Sequence, residues 1–202
     1  MKKLKVAVTG GMGSGKTSLC NVFKNKGYTV LSSDAVAKEI MNSNTEVKKQ
    51  IIKCFGKESY SDGKLNIPFL AKQVFSNPEK TAQINSIVHP ATAKEVQILI
   101  EKEFSKRSLV FVESALIYEA KIHKNFDYVI LVYSEDEEKI SRVVKRDKVN
   151  PESVIERINS QIPDEKKKTR ADFIIKNDST LNDLIKRGEF ILKIIEDISK
   201  GE

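Results

Sequence analysis

Gly10-Gly11-Met12-Gly13-Ser14-Gly15-Lys16-Thr17 fits the spacing G-x-x-x-x-G-K-[ST], and these residue types at this spacing grip a polyphosphate. Glycines let backbone N–H groups close around the anion, Lys16 reaches the outer phosphates, and the Thr17 hydroxyl is placed for Mg²⁺. The pattern predicts a bound nucleoside triphosphate. Further along, Asp34 follows the run Val30-Leu31-Ser32-Ser33, and Glu113 ends the run Leu109-Val110-Phe111-Val112. A carboxylate at Asp34 suits two tasks, taking a hydroxyl proton during phosphoryl transfer or binding Mg²⁺ through water; an N-cap for the next helix is the bland alternative. Glu113 occupies the place of an acid that helps hold the metal beside a phosphate loop, or is an ordinary acid at a strand end. Arg142 and Arg146, spaced i, i+4, form a fork that matches phosphate oxygens, unless water alone solvates them.

Such residues need a scaffold, and the hydrophobic pattern supplies one. Leu4, Val6, Ala7 and Val8 form a short apolar run suited to a buried parallel strand ending at Thr9. Leu19, Val22 and Phe23 then recur at helical spacing, so the loop opens onto a helix N-terminus, which favours anions. Four further strands are expected at about 29–32, 109–113, 128–132 and 173–175. Strands alternating with helices predict an α/β, three-layer, P-loop NTPase-type fold with a parallel five-stranded sheet. Residues 35–107 show no convincing strand; helices at about 36–41, 45–54, 67–74, 78–88 and 92–105, with a turn at Ser61-Asp62-Gly63, predict a helical insertion that covers a substrate. Residues 137–168 predict two amphipathic helices, the second at about 152–161, forming a lid over phosphates. In the first, Ile140, Val143 and Val144 lie on one face, and Lys139, Arg142 and Arg146 on another. The core is then about 1–34, 108–136 and 169–202, closed by a helix at about 180–198. Its stripe is Leu181, Leu184, Ile185, Ile191, Ile195 and Ile198.

Composition narrows the class. The chain has 202 residues, 40% hydrophobic and 31% charged, enough for one domain with a full core. No apolar stretch approaches a membrane span, and the start does not read as a signal peptide, so a cytoplasmic protein is expected without a membrane partner. Cys20 and Cys54 read as buried or half-buried small hydrophobes, not a disulfide. The net charge of +7 suits multiply phosphorylated substrates or nucleic acid, but no nucleic-acid motif accompanies the cluster Lys166-Lys167-Lys168-Thr169-Arg170, and a solvated helix end accounts for much of it. His89, beside Pro90, is a candidate substrate contact or a helix cap; neither it nor His123 has metal-ligand spacing. Serine-hydrolase and protein-kinase motifs are absent. Lys176-Asn177-Asp178 is only superficially similar to the base-selecting N-K-x-D of a GTP switch.

Taken in order, these residues resemble the dephospho-CoA kinase family. Thr9–Thr17 is close to its T-G-G-I-G-S-G-K-S opening, and Asp34 matches the second acid of its D-A-D element. Phe55-Gly56, Asp62-Gly63-Lys64-Leu65, Val74-Phe75 and Asn85–Pro90 follow its F-G, D-G-x-L, V-F and L-N-x-x-x-H-P signatures. Leu116-Ile117-Tyr118-Glu119 resembles L-L-F-E, and Arg142 with Arg146-Asp147 matches R-x-x-x-R-D; Gln161 and Ala171–Asn177 follow. Three positions depart from the pattern: Ser32 for the first acid of D-A-D, Ile67 for an arginine, and Ala115 at the start of the P-L-L element. The resemblance implies transfer of the γ-phosphoryl group of ATP, with Mg²⁺, to the ribose 3′-hydroxyl of 3′-dephospho-CoA. It implies ATP contacts at Gly11, Met12, Gly13, Ser14, Gly15, Lys16, Thr17, Ser18 and Asn177, and substrate contacts at Asp34, His89 and Leu116. Catalysis falls to Asp34, Lys16, Arg142 and Arg146, with metal at Thr17 and, through water, Glu113. No nucleic-acid partner is expected, and the protein is read as a monomer with an oligomer left open. The rival readings are another small P-loop kinase, acting on a nucleoside, nucleotide or sugar acid, and a nucleic-acid-binding ATPase.

Overall fold

A computed structural model describes residues 1–74 and 77–201. Phe75, part of the V-F match, lies outside the described residues. The chain divides into two compact units, Met1–Ser32 with the chain from Ile100 onward, and Ser33–Leu99.

The first unit is built on strands β1 (Leu4–Thr9) and β2 (Thr29–Ser32), and on helix α1 (Lys16–Asn25) between them. The second unit contributes helices α2 (Ser33–Ser43), α3 (Thr45–Phe55) and α4 (Ile67–Val74), the short strands β3 (Tyr60–Ser61) and β4 (Lys64–Leu65), and most of α5 (Pro78–Glu103). Back in the first unit come β5 (Leu109–Glu113), β6 (Tyr128–Tyr133), α6 (Asp136–Asp147), α7 (Pro151–Asn159), α8 (Asp164–Lys168), β7 (Phe173–Lys176) and α9 (Leu181–Lys200).

Among the described residues the first unit's strands form one five-stranded sheet in the order β2-β5-β1-β6-β7, every pair parallel. The expected strands all take part. β1 is almost wholly buried because it lies at the centre, where both faces are covered. On one face Leu4, Val6 and Val8 meet Leu19, Phe23, Leu184 and Ile195 from α1 and α9. On the other face Ala7 and Val129 pack with Ile117 and Tyr118. The chain leaves β1 toward β5 and β2 on one side and β6 and β7 lie on the other. The end of β1 is therefore a topological switch point, where an open parallel sheet leaves a crevice beyond its carboxyl edge.

Several expectations need correction. The helices expected at 78–88 and 92–105 are one helix, α5, with Pro90 inside it. Proline removes one i→i−4 bond and crowds the preceding turn, at roughly 3 kcal/mol, but the turns on either side carry the helix across. In the second unit the turn at Asp62-Gly63 is flanked by a two-residue ladder, Tyr60↔Leu65 and Ser61↔Lys64, although no strand was expected there. Asp62 and Gly63 both have positive φ (50° and 76°), the geometry of a type I′ hairpin turn that Asp-Gly favours. Cys54 is exposed, unlike buried Cys20. Leu181, the first residue of α9, lies outside the core, 62% exposed.

Candidate active site

The loop from Gly10 to Gly15 joins β1 to α1. Gly15 is the N-cap of α1, left-handed at φ 98°, and no side chain caps the helix. The N-cap glycine supplies no side-chain acceptor, and the first N–H groups of α1 lie at the positive end of the helix dipole. Gly13 is also left-handed (φ 78°), and a Cβ there would stand 2.5 Å from the Lys139 carbonyl oxygen, so α6 backbone rests directly on the loop. Ser14 N donates to Gly11 O at 3.2 Å, closing the loop as a turn. Lys16 Nζ donates to the same carbonyl at 3.0 Å, which lays the ammonium across the loop. Ser18 is half-buried in the first turn of α1. This arrangement of amides, helix end and ammonium suits a polyphosphate.

Parallel pairing of β1 with β5 sets Val8 beside Glu113, and pairing of β2 with β5 sets Ser32 beside it too. Glu113 thus reaches the crevice at the sheet's carboxyl edge. Thr17 Oγ1 donates to Glu113 Oε1 at 2.6 Å. These are hard oxygen donors of the kind Mg²⁺ takes, and the pair fits an ion held by a hydroxyl, a carboxylate reached through water and substrate phosphates. Among the described residues no group of three or more His, Cys, Asp or Glu could hold a metal. Burial pushes the Cys20 thiol up, and the neighbouring Glu113 carboxylate adds to the rise, so Cys20 is a neutral packing group rather than a nucleophile.

The two arginines part company. Arg142 Nη1 donates to Ser134 Oγ at 2.7 Å, and its Nη2 donates to Asn177 O at 2.9 Å and to Glu138 at 3.3 Å. Asn177 in turn donates from Nδ2 to Ser14 O at 2.9 Å, tying the segment after β7 to the phosphate loop. Arg146 pairs with its neighbour Asp147 at 2.7 Å, and its side chain is 64% exposed. Leu116 is half-buried in the turn after β5, where its N–H donates to Ser114 Oγ at 3.2 Å.

Asp34 and His89 belong to the second unit. Helix α2 begins at Ser33, so Asp34 stands exposed within its first turn, two residues along the chain from Ser32, and not at the cap. His89 is half-buried in the interior of α5, well inside the ends of that helix and so not its cap.

Other polar residues take places that the sequence did not assign to them. Lys139, read with Arg142 and Arg146 as one face of a lid helix, is 3% exposed and holds both Asp136 and Asp164 at 2.7 Å. Burial works against its charge, yet the hydrogen bonds to the two carboxylates outweigh that and raise its pKa. Gln161 Oε1 accepts the Met12 N–H at 3.3 Å. Lys167, read as part of a solvated cluster, is fully buried with its Nζ 2.9 Å from Glu119 Oε1. A cavity of about 680 Å³ opens beside Gly11, lined among others by Ser134, Lys139, Gln161 and Asp164. No spacing rule marks a lone lysine or glutamine; the only signal was the position of Gln161 in the run of family-like residues.

Known proteins resemble this chain in sequence and in fold. A dephospho-CoA kinase family model matches residues 4–183. Dephospho-CoA kinase of Salinibacter ruber is 36% identical over 181 residues, which is 89% of this chain and 91% of that protein. Among solved structures, a Thermus thermophilus protein superposes with a TM-score of 0.78 at 30% identity, covering 96% of this chain and 98% of the other. Dephospho-CoA kinase from Campylobacter jejuni superposes with a TM-score of 0.65 at 27% identity, covering 98% of each chain.

Proposed function

This chain belongs to the dephospho-CoA kinase family, a kinase of the last step of coenzyme A biosynthesis, and from that premise we propose how its residues divide the work. The loop amides, Lys16 and the start of α1 hold the triphosphate of ATP. Asn177, hydrogen-bonded to Ser14, and Arg142, hydrogen-bonded to Asn177, fix the loop from the β7 side. Thr17, with Glu113 through water, would hold Mg²⁺, whose charge would neutralise that of the phosphates. Asp34 orients the ribose 3′-hydroxyl of 3′-dephospho-CoA and takes its proton. The 3′-oxygen forms a bond to the γ-phosphorus, the β–γ bridging bond breaks, and ADP leaves. Arg146 steadies charge on the transferring group, and residues 137–168 act as a lid that keeps out water, the competing acceptor. The helical unit with His89, and Leu116 after β5, carry the acceptor. On the same reading the protein works in the cytoplasm as a monomer on small molecules, without nucleic acid; among the described residues no helix is long and apolar enough to cross a membrane.

The observation that carries this reading is the Thr17–Glu113 pair at 2.6 Å beside a glycine loop that opens onto an uncapped helix. Incubation with ATP, Mg²⁺ and a panel of acceptors tests it. Label should pass to dephospho-CoA in preference to nucleosides, nucleotides and sugar acids, and Lys16→Ala should nearly abolish the transfer. No transfer to dephospho-CoA by the wild type sinks the proposal.

A further inference from the structure

A phosphate loop works through the direction of its N–H groups, so whatever turns one of its peptides affects how the loop receives an anion. One of these peptides has its N–H held by a side chain 149 residues away: Met12 N donates to Gln161 Oε1. Gln161 is itself held in place. Just after it, Ile162 N donates to Glu119 Oε1 at 3.0 Å, and at the far end of the segment Lys167 Nζ lies 2.9 Å from the same oxygen. Between them Asp164 binds the Lys139 ammonium at 2.7 Å. Lys139 belongs to the α6 turn whose backbone rests on Gly13. Residues 161–167 are therefore fixed to the β5–β6 connection at both ends and to α6 in the middle. Gln161 is where that tied segment bonds to the loop, at Met12.

The chemistry of the contact suits this place. A carboxamide oxygen accepts the Met12 N–H while carrying no net charge, so the peptide is oriented and the loop's attraction for anions survives. A carboxylate there would orient the same N–H but oppose a triphosphate.

We propose that Gln161 is a positioning residue for ATP: it fixes the Met12 peptide and, through it, the shape of the phosphate loop. The inference rests on the reading that this loop holds ATP. Its effect falls on ground-state nucleotide binding and leaves acceptor binding alone.

The test compares the wild type with Gln161→Ala and Gln161→Met. The second keeps the length of the side chain without the acceptor, should alanine loosen the turn. KM is measured separately for ATP and dephospho-CoA, and Kd for a non-hydrolysable ATP analogue is measured by calorimetry. Loss of one hydrogen bond should raise the ATP KM and the analogue Kd roughly three- to tenfold, with the dephospho-CoA KM and kcat within about twofold of wild type. An ATP KM and analogue Kd within about twofold of wild type in both variants would overturn the proposal, as would a fall in kcat with the ATP KM unmoved. Wild type that fails to bind the analogue would instead sink the reading of the loop itself.

Discussion

The Thr17 hydroxyl donates to Glu113 Oε1 across 2.6 Å, joining the first turn of α1 to the end of β5. Two elements 96 residues apart thereby share one polar corner beside the phosphate loop. If that corner serves Mg²⁺, Glu113→Gln should keep the fold and weaken the dependence on the ion. Groups that hold or orient a metal typically cost about 10–100-fold in affinity or activity when removed. Titrating activity with Mg²⁺ at fixed ATP measures this, and an unchanged titration curve would free Glu113 of the role.

Asp34 has the larger predicted effect. General-base assistance is typically worth ~10²–10⁴ in rate, so Asp34→Asn should lose about that much kcat while the ATP KM stays near wild type. Near-normal turnover would remove Asp34 from the chemistry.

Arg142 and Arg146 should respond differently. Arg142 supports buried Ser134 and the Asn177 carbonyl, and hydrogen bonds to charged groups are worth about 1.5–3 kcal/mol, so Arg142→Ala should lower denaturant stability by that order. Arg146 is exposed and paired with its neighbour Asp147, so Arg146→Ala should leave stability unchanged and slow turnover. An unaltered kcat/KM for Arg146→Ala would refute a transition-state contact.

The start of α9 supplies a pH signature. Hydrogen bonds from Ser179 and Thr180 hold the Asp183 carboxyl at about 2, below its ordinary 3.8. The unfolded chain therefore takes up this proton before the folded chain does. The stabilisation is complete above about pH 4 and disappears as pH falls through about 2. Asp183→Asn should be less stable than wild type at neutral pH, and the gap should close on acidification. A gap in melting temperature that stays constant from neutral pH to about pH 2 would contradict this.

Elements with strong local signals were legible. The strands at 29–32 and 109–113 have the bounds observed: β5 is a short apolar run buried over its first four residues, and β2, half-buried at the sheet's edge, is bounded by polar turns. The helix across Pro90 was not legible, since local chemistry argues for a break and only the turns around it decide otherwise. The Tyr60–Leu65 hairpin was missed because two residues a side are too few for any periodicity.

What the sequence alone determined was the parts that work through their own spacing: a glycine loop with Lys16 and Thr17, the strand before it, the helix after it, and acids at strand ends. What only tertiary structure decided was which distant polar groups meet. Nothing local in the chain marks Lys139 or Lys167 for burial, yet they are buried against Asp164 and Glu119, and Gln161 reaches Met12 from far along the chain. Burying a charge is unfavourable unless a partner arrives with it, and that partner is supplied by packing between elements far apart in the chain, which no local pattern encodes.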